Sequence, residues 1–304
     1  MVTTNPAISP KGHGLAYEQI LGSSSIWSLN LGNTAGKDSN TQVTSSKGYN
    51  RAPEFSPDGS KIAFESDRTG TMEIWTCKND GSDLMRLTNF GAVQFTGPPR
   101  WSPDGQKIAF GSALGEHNAI FVVNAEGGVP RPLTHGVSDS LSPSWSRDGK
   151  WIYFSSMRSG EWQIWRMPSE GGEPVQVTKQ GGRTGFESAD GQFLYYAKTP
   201  EREIWRMPLA GGQESPLSPR IHVEHWSGWT VTDKGIYFLG EEESSPHPVL
   251  KFFDFSSHRI VDVANLKKPV PWRSWISASA DGKFLLYPQL DQEESNIMLL
   301  ENFR

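Results

Sequence analysis

The sequence is short of the things that usually announce a chemistry. Its 304 residues hold one cysteine, Cys77, so no intramolecular disulfide and no CxxC metal knuckle is possible, and cysteine usage says nothing about redox compartment. There is no basic excess. The net charge is -5 with a pI near 5.8, and Lys267 and Lys268 form no more than a pair, which argues against a nucleic-acid surface on this domain. No run approaches the roughly 18 apolar residues of a membrane-spanning helix, and MVTTNPAISP has no basic start followed by an apolar stretch, so no membrane contact by this domain is expected. GxSxG, HExxH, GxxxxGK and helix-opening GxGxxG motifs are all missing, which removes the usual sequence signals for a nucleophile elbow, a zincin, a P-loop or a dinucleotide fold. Uninterrupted segments of helical length are missing too, because 31 Gly and 21 Pro punctuate the chain every few residues.

What the sequence does contain is repetition. Residues 55–64 read FSPDGSKIAF and residues 101–110 read WSPDGQKIAF. In the first, Pro57 presets φ for a type I turn, Asp58 tolerates the second central position, and Gly59 supplies a left-handed residue, so strands must flank it. SKIAF, MEIWTCK (72–78) and LMRLT (84–88) then read as successive strands separated by the turn signals SDRTG and NDGSD. One unit is four antiparallel strands.

The hairpin glycine recurs at Gly12, Gly59, Gly105, Gly149, Gly191, Gly235 and Gly282, spaced by 47, 46, 44, 42, 44 and 47 residues. Third strands recur at Ile26, Ile74, Ile120, Ile164, Ile204, Val249 and Ile297, and fourth strands end at Thr44, Thr88, Thr134, Thr178 and Ser218. A four-stranded unit of this period predicts an all-β, seven-bladed β-propeller, one domain over residues 1–304. The seventh repeat stops after its third strand, whereas Val2 and Thr3 precede the first hairpin. The expectation is that this N-terminal strand joins the last blade and closes the ring.

These repeats resemble the TolB-like, WD-repeat-like propeller family of bacteria, on the SPDG hairpins of Ser56–Gly59 and Ser102–Gly105. The succession DGSDLMRLT, VVNAEGG, SWSRDGKWIYFSS, GEWQIWRMP and SNIMLLENFR further resembles the C-terminal propeller of bacterial membrane-anchored winged-helix transcriptional regulators. That resemblance implies a periplasmic or otherwise extracytoplasmic propeller, with the DNA-binding domain and membrane helix outside this chain, as for an excised domain. It implies fold far more than function.

Three groups of residues depart from the repeat. In HVEHW (222–226), His222 and His225 are candidate metal ligands, because neutral imidazoles suit zinc or manganese; two solvent-facing side chains are the alternative. Four residues before the hairpin glycine stand Ile8, Phe55, Trp101, Trp145, Val231 and Ala278, but Glu187 in the fifth repeat. That carboxylate, with Arg183 and Arg206 nearby, reads either as a bridge between blades or as a ligand-facing group. Trp27, Trp75, Trp165 and Trp205 keep register and read as blade packing. Trp226, Trp229, Trp272 and Trp275 do not; they fall beside His225 and Arg273 in connections entering the last two blades, where they could bind a partner or plug a channel mouth.

The sequence-based expectation is a non-catalytic recognition module with no cofactor, binding a protein, peptide or small sugar-like molecule on one ring face. Its candidate ligand-binding residues are Arg183, Glu187, His225, Trp226, Trp229, Trp272, Arg273 and Trp275. The competing expectation is a metal-assisted lyase or hydrolase using His222, His225 and Glu187.

Overall fold

The computed structural model describes residues 2–8, 14–32, 40–91, 96–136, 138–223, 225–240, 247–271 and 274–301. It is all-β, with no helix among the described residues. Six antiparallel sheets lie in a propeller-like arrangement. Sheet II comprises Asn50–Phe55, Lys61–Ser66, Glu73–Lys78 and Met85–Arg86. Sheet III comprises Arg100–Trp101, Lys107–Leu114, His117–Asn124 and Arg131–Pro132. Sheet IV follows with Ser140–Trp145, Trp151–Ser156, Gln163–Pro168 and Val175–Gln176, and sheet V with Gly185–Glu187, Phe193–Lys198, Glu203–Pro208 and Ser215–Pro216. Sheet VI comprises Trp229–Val231, Gly235–Gly240, Val249–Asp254 and Arg259–Asn265.

Sheet I is built from both ends of the chain: Val2–Ile8, Gly14–Asn30 and Asn40–Gln42 with Ser277–Ala278 and Phe284–Glu301. Here the structure departs from the sequence expectation. Seven repeats give six sheets among the described residues, because the first and seventh share sheet I. The N-terminal strand pairs Val2 with Ile20 and Thr3 with Gln19, not with the last repeat. The physical reason is that Gly14–Asn30 runs straight through its expected turn and takes Phe284–Glu301 as its partner along its whole length.

The repeated motifs each have a local cause. In the hairpin of sheet II, Gly59 adopts φ of 72°, its N–H donates to the Ser56 carbonyl at 2.8 Å, and Ser56 Oγ donates to Asp58 at 2.6 Å while accepting the Lys61 N–H at 2.9 Å. The same serine, aspartate and left-handed glycine recur at Ser102, Ser146, Ser188 and Ser279. Gly235 differs: a Cβ there would lie 2.0 Å from the Phe253 carbonyl oxygen, so close approach and not turn conformation explains the residue. The recurring threonine ties the outer strands together in sheets II, III and IV. Thr88, Thr134 and Thr178 Oγ1 accept the N–H of Ile74, Ile120 and Ile164 at 2.8 to 2.9 Å.

Six buried apolar clusters lie between neighbouring sheets. Ile26, Ile62 and Phe64 join sheets I and II, for example, and Leu29, Leu239, Leu250 and Tyr287 join sheets VI and I. Trp75 belongs to one of these clusters and Trp27, Trp165 and Trp205 pack against others, as expected of blade packing, and the cationic ends of Arg68, Arg158 and Lys198 stand over the rings of Trp75, Trp165 and Trp205.

Candidate functional site at the axis

The first strand of each sheet contacts the first strand of the next, from Asn50–Phe55 round to Ser277–Ala278 and back. Side chains from non-neighbouring sheets can therefore meet only across the middle. Arg100, on the first strand of sheet III, does so. It is 4 % exposed; its Cζ stands 5.0 Å from the Phe186 ring of sheet V and 4.6 Å from the Trp275 ring, just before the first strand of sheet I. Its Nη1 lies 3.4 Å from Glu54 Oε1 of sheet II. Its Nε and Nη2 have no hydrogen-bond partner among the described residues.

Glu54 is held by its neighbour sheet as well as by charge, since its Oε2 accepts the Trp101 N–H at 2.7 Å. Burial pushes the Glu54 carboxyl up to about 7, and Arg100 and the Trp101 amide offset only part of that rise. Burial likewise pulls the Arg100 guanidinium down, against the opposing pull of Glu54.

Trp275 connects this buried pair to a half-buried group of side chains. Trp226 packs edge-on to Trp275 with centroids 5.7 Å apart, and His225 tilts against Trp226 at 4.6 Å. The Arg183 guanidinium stands 3.7 Å from the Trp162 ring and 5.3 Å from the Trp226 ring. Two arginines, four aromatic rings and the His225 imidazole thus form one continuous cluster running from sheet to sheet. Such a surface presents cationic N–H groups framed by indole faces, the pattern suited to a carboxylate carried on an apolar or aromatic segment.

The sequence-predicted residues divide accordingly. Arg183, His225, Trp226 and Trp275 come together in this cluster. Trp229 is 0 % exposed, packs edge-on to Phe186 at 4.9 Å and donates its indole N–H to the Trp226 carbonyl, so it supports the cluster from the core. Trp272 and Arg273 lie outside the described residues. Glu187 accepts the Arg147 N–H at 2.8 Å and the Tyr153 hydroxyl at 2.7 Å, which makes it a bridge between sheets V and IV. It inverts a latch used elsewhere: at the equivalent position the Trp101 and Trp145 indoles donate to the Glu54 and Arg100 carbonyls of the preceding sheet.

His222 and His225 have different neighbours. His222 pairs with Glu203 Oε1 at 3.7 Å beside Arg220 and lines a pocket of about 480 Å³ between sheets V and VI, whereas His225 Nδ1 lies 2.7 Å from Ser227 Oγ. Glu224, between them, lies outside the described residues, and among the described residues no group of three His, Cys, Asp or Glu is placed to hold a metal ion.

Sequence reasoning missed Glu54, Arg100, Phe186 and Trp162. The first three were findable. They stand five residues before Gly59, Gly105 and Gly191, one position upstream of the set that drew attention to Glu187, and strand alternation turns that position to the opposite face.

Six sheets packed through their faces, with their first strands meeting around a plugged axis and the hairpin chemistry repeated in five of them, define a β-propeller scaffold. Residues 94–275 match the TolB beta propeller domain model (PD40), and the chain belongs to that family. Over 49 residues the chain is 47% identical to Uncharacterized protein Atu1656 of Agrobacterium fabrum, a match spanning 16% of this chain and 17% of that protein. Among solved structures it is similar to a protein assigned as TolB from Agrobacterium tumefaciens, with a TM-score of 0.70 and 19% identity, covering 90% of this chain and 99% of the other. It is also similar to TolB from Acinetobacter baumannii, at a TM-score of 0.62 and 18% identity, covering 90% and 65% of the two chains. Both likenesses are of fold.

Proposed function

We propose that this propeller is a non-catalytic recognition module that takes an acidic segment of a protein or peptide at the axial cluster, with Arg183, Trp226 and His225 as the outer contacts. The observation that carries the reading is Arg183 between two indoles, linked through Trp226 and Trp275 to a buried arginine with two N–H donors unpartnered among the described residues. Buried donors of that kind are costly to leave unmade, and a carboxylate can accept two N–H groups of one guanidinium at once. The aromatic faces supply the apolar contact that holds an extended segment in place.

On this reading residues 1–304 form one domain, a ring that closes where the two chain ends share a sheet. It is the sensory or scaffold part of a bacterial regulator, working outside the cytoplasm. The succession of repeats along the chain supports that placement.

Selection from a displayed random-peptide library tests the function. Enriched peptides should carry Asp, Glu or a free C-terminal carboxylate beside an aromatic or aliphatic residue, and should lose binding to an Arg183→Ala, Trp226→Ala variant that melts as a folded protein. Peptides without acidic character, or binding that survives in the double variant, would refute the proposal.

A further inference from the structure

Half of sheet I takes no part in the propeller body. Ser24–Asn30 with Phe284–Leu290 packs into it, and Ile26 there is fully buried. The other half, Gly14–Ser23 with Gln292–Glu301 and the N-terminal strand, is a three-stranded ribbon that leaves Ile8 64 %, Ile297 84 % and Leu299 65 % exposed. Ile297 is the repeat equivalent of Ile26, Ile74, Ile120, Ile164 and Ile204, all of them at 0 %.

Between the two halves the sequence is written for turns. Residues 20–24 (ILGSS) and 290–294 (LDQEE) occupy the repeat position of the turns at 67–71 and 157–161, yet here they lie opposite each other in continuous strands, with a register shift between Ser23 and Ser24.

The pairing identifies what has happened. In sheet II, Ile62 pairs with Cys77, Ala63 with Thr76 and Phe64 with Trp75. Counted from their own glycines, Leu15, Ala16 and Tyr17, and likewise Leu285, Leu286 and Tyr287, stand at the Ile62, Ala63 and Phe64 positions. Trp27 and Leu29, and likewise Met298 and Leu300, stand at the Trp75 and Cys77 positions. The structure pairs Tyr287 with Trp27, Leu285 with Leu29, Tyr17 with Met298 and Leu15 with Leu300. Each pair joins the correct kinds of position from opposite repeats. Two hairpins have opened and exchanged arms without losing register.

We propose that the chain interconverts between this closure and a second one, in which each hairpin folds back on itself, Tyr17 beside Trp27 and Tyr287 beside Met298, and the ribbon enters the ring as a seventh sheet. The second closure buries Ile297, as the equivalent isoleucines are buried in the other sheets, and covers Leu299 at a position where Thr76 and Val122 are buried in sheets II and III; it also restores turns where the sequence places turn residues. It also widens the ring at sheet I. The contact of Arg100 with Trp275 spans the axis at 4.6 Å and cannot survive that widening, so the closure and the axial cluster are coupled.

Two cysteine pairs sharing one position test this. Ala16→Cys with Leu299→Cys links facing residues of the ribbon, whereas Ala16→Cys with Ser28→Cys links the hairpin equivalent of Ala63 and Thr76. The native Cys77 is buried, with its thiol pushed up to about 12, and stays silent under mild oxidation. Both pairs should form intrachain disulfides in folded protein. Formation of only one pair, or bonds between chains, would overturn the proposal. In case a variant fails to fold, hydrogen exchange of the unaltered chain gives the second reading: peptides spanning 14–23 and 292–301 should show two mass populations, and a single population would overturn it.

Discussion

Replacing Glu54 by Gln should change how stability depends on pH, by an amount the structure sets. The Glu54 side chain is 20 % exposed, with one buried cation 3.4 Å away, and its carboxyl rises from the ordinary 4.5 to about 7. Between those values the native protein holds a proton that the unfolded chain has released. Stability from this group is therefore fully present below about pH 4.5 and is lost as pH rises through about 7. At roughly 1.4 kcal/mol per decade the loss amounts to about 3 kcal/mol. Glutamine keeps an oxygen for the Trp101 N–H but cannot titrate. Urea unfolding from pH 4 to pH 8 should show the wild type losing about 3 kcal/mol relative to Glu54→Gln, all of it within this window. Arg100→Met removes the charge that opposes the rise, so the decline should still begin near pH 4.5 but extend to higher pH. Parallel curves for wild type and Glu54→Gln, or a decline moved to lower pH in Arg100→Met, would refute the account of the buried pair.

Three further outcomes follow from the same geometry. Trp229→Ala should cost about 3 to 5 kcal/mol in chemical denaturation, because it empties a fully buried site, whereas Trp226→Ala, from a half-buried site, should cost less than half of that while abolishing peptide binding. The turn carboxylates Asp58 and Asp281 are held down to about 2, first by the Ser56 and Ser279 hydroxyls. The stability they contribute is thus present above about pH 4 and lost as pH falls through 2, and an Asp58→Ala, Asp281→Ala variant should show a shallower acid limb in circular dichroism. Zinc or manganese should leave the melting temperature of wild type and His222→Ala, His225→Ala equal; a metal-induced rise lost in the variant would favour a shared site.

The repeated features were legible in the sequence because each has a cause within one hairpin. Gly59, Gly105, Gly149, Gly191 and Gly282 all take the left-handed turn, and Thr88, Thr134 and Thr178 all accept the third-strand amide. Gly235 broke the pattern because its repeat reads TDKG and its requirement comes from Phe253, a partner on the next strand. The sharing of sheet I by both chain ends was not legible, since the local turn residues point to a folded-back hairpin and Tyr17 meets Met298 in the same register in which it would meet Trp27. The axial cluster was half legible. Trp226 and Trp275 stood out by leaving the repeat register and Arg183 by its nearness to Glu187, but Arg100 sits inside an ordinary hairpin entry and gains its role only by reaching across to sheets I and V.

The most direct test of the axial recognition surface is a double-mutant cycle by calorimetry, with Arg183→Ala in the protein and Glu→Gln at the acidic position of a selected peptide. Arg183 is half-buried between indoles, so a direct contact with the peptide carboxylate predicts a coupling of about 1 to 2 kcal/mol. A coupling of zero, with both single changes simply additive, would contradict it.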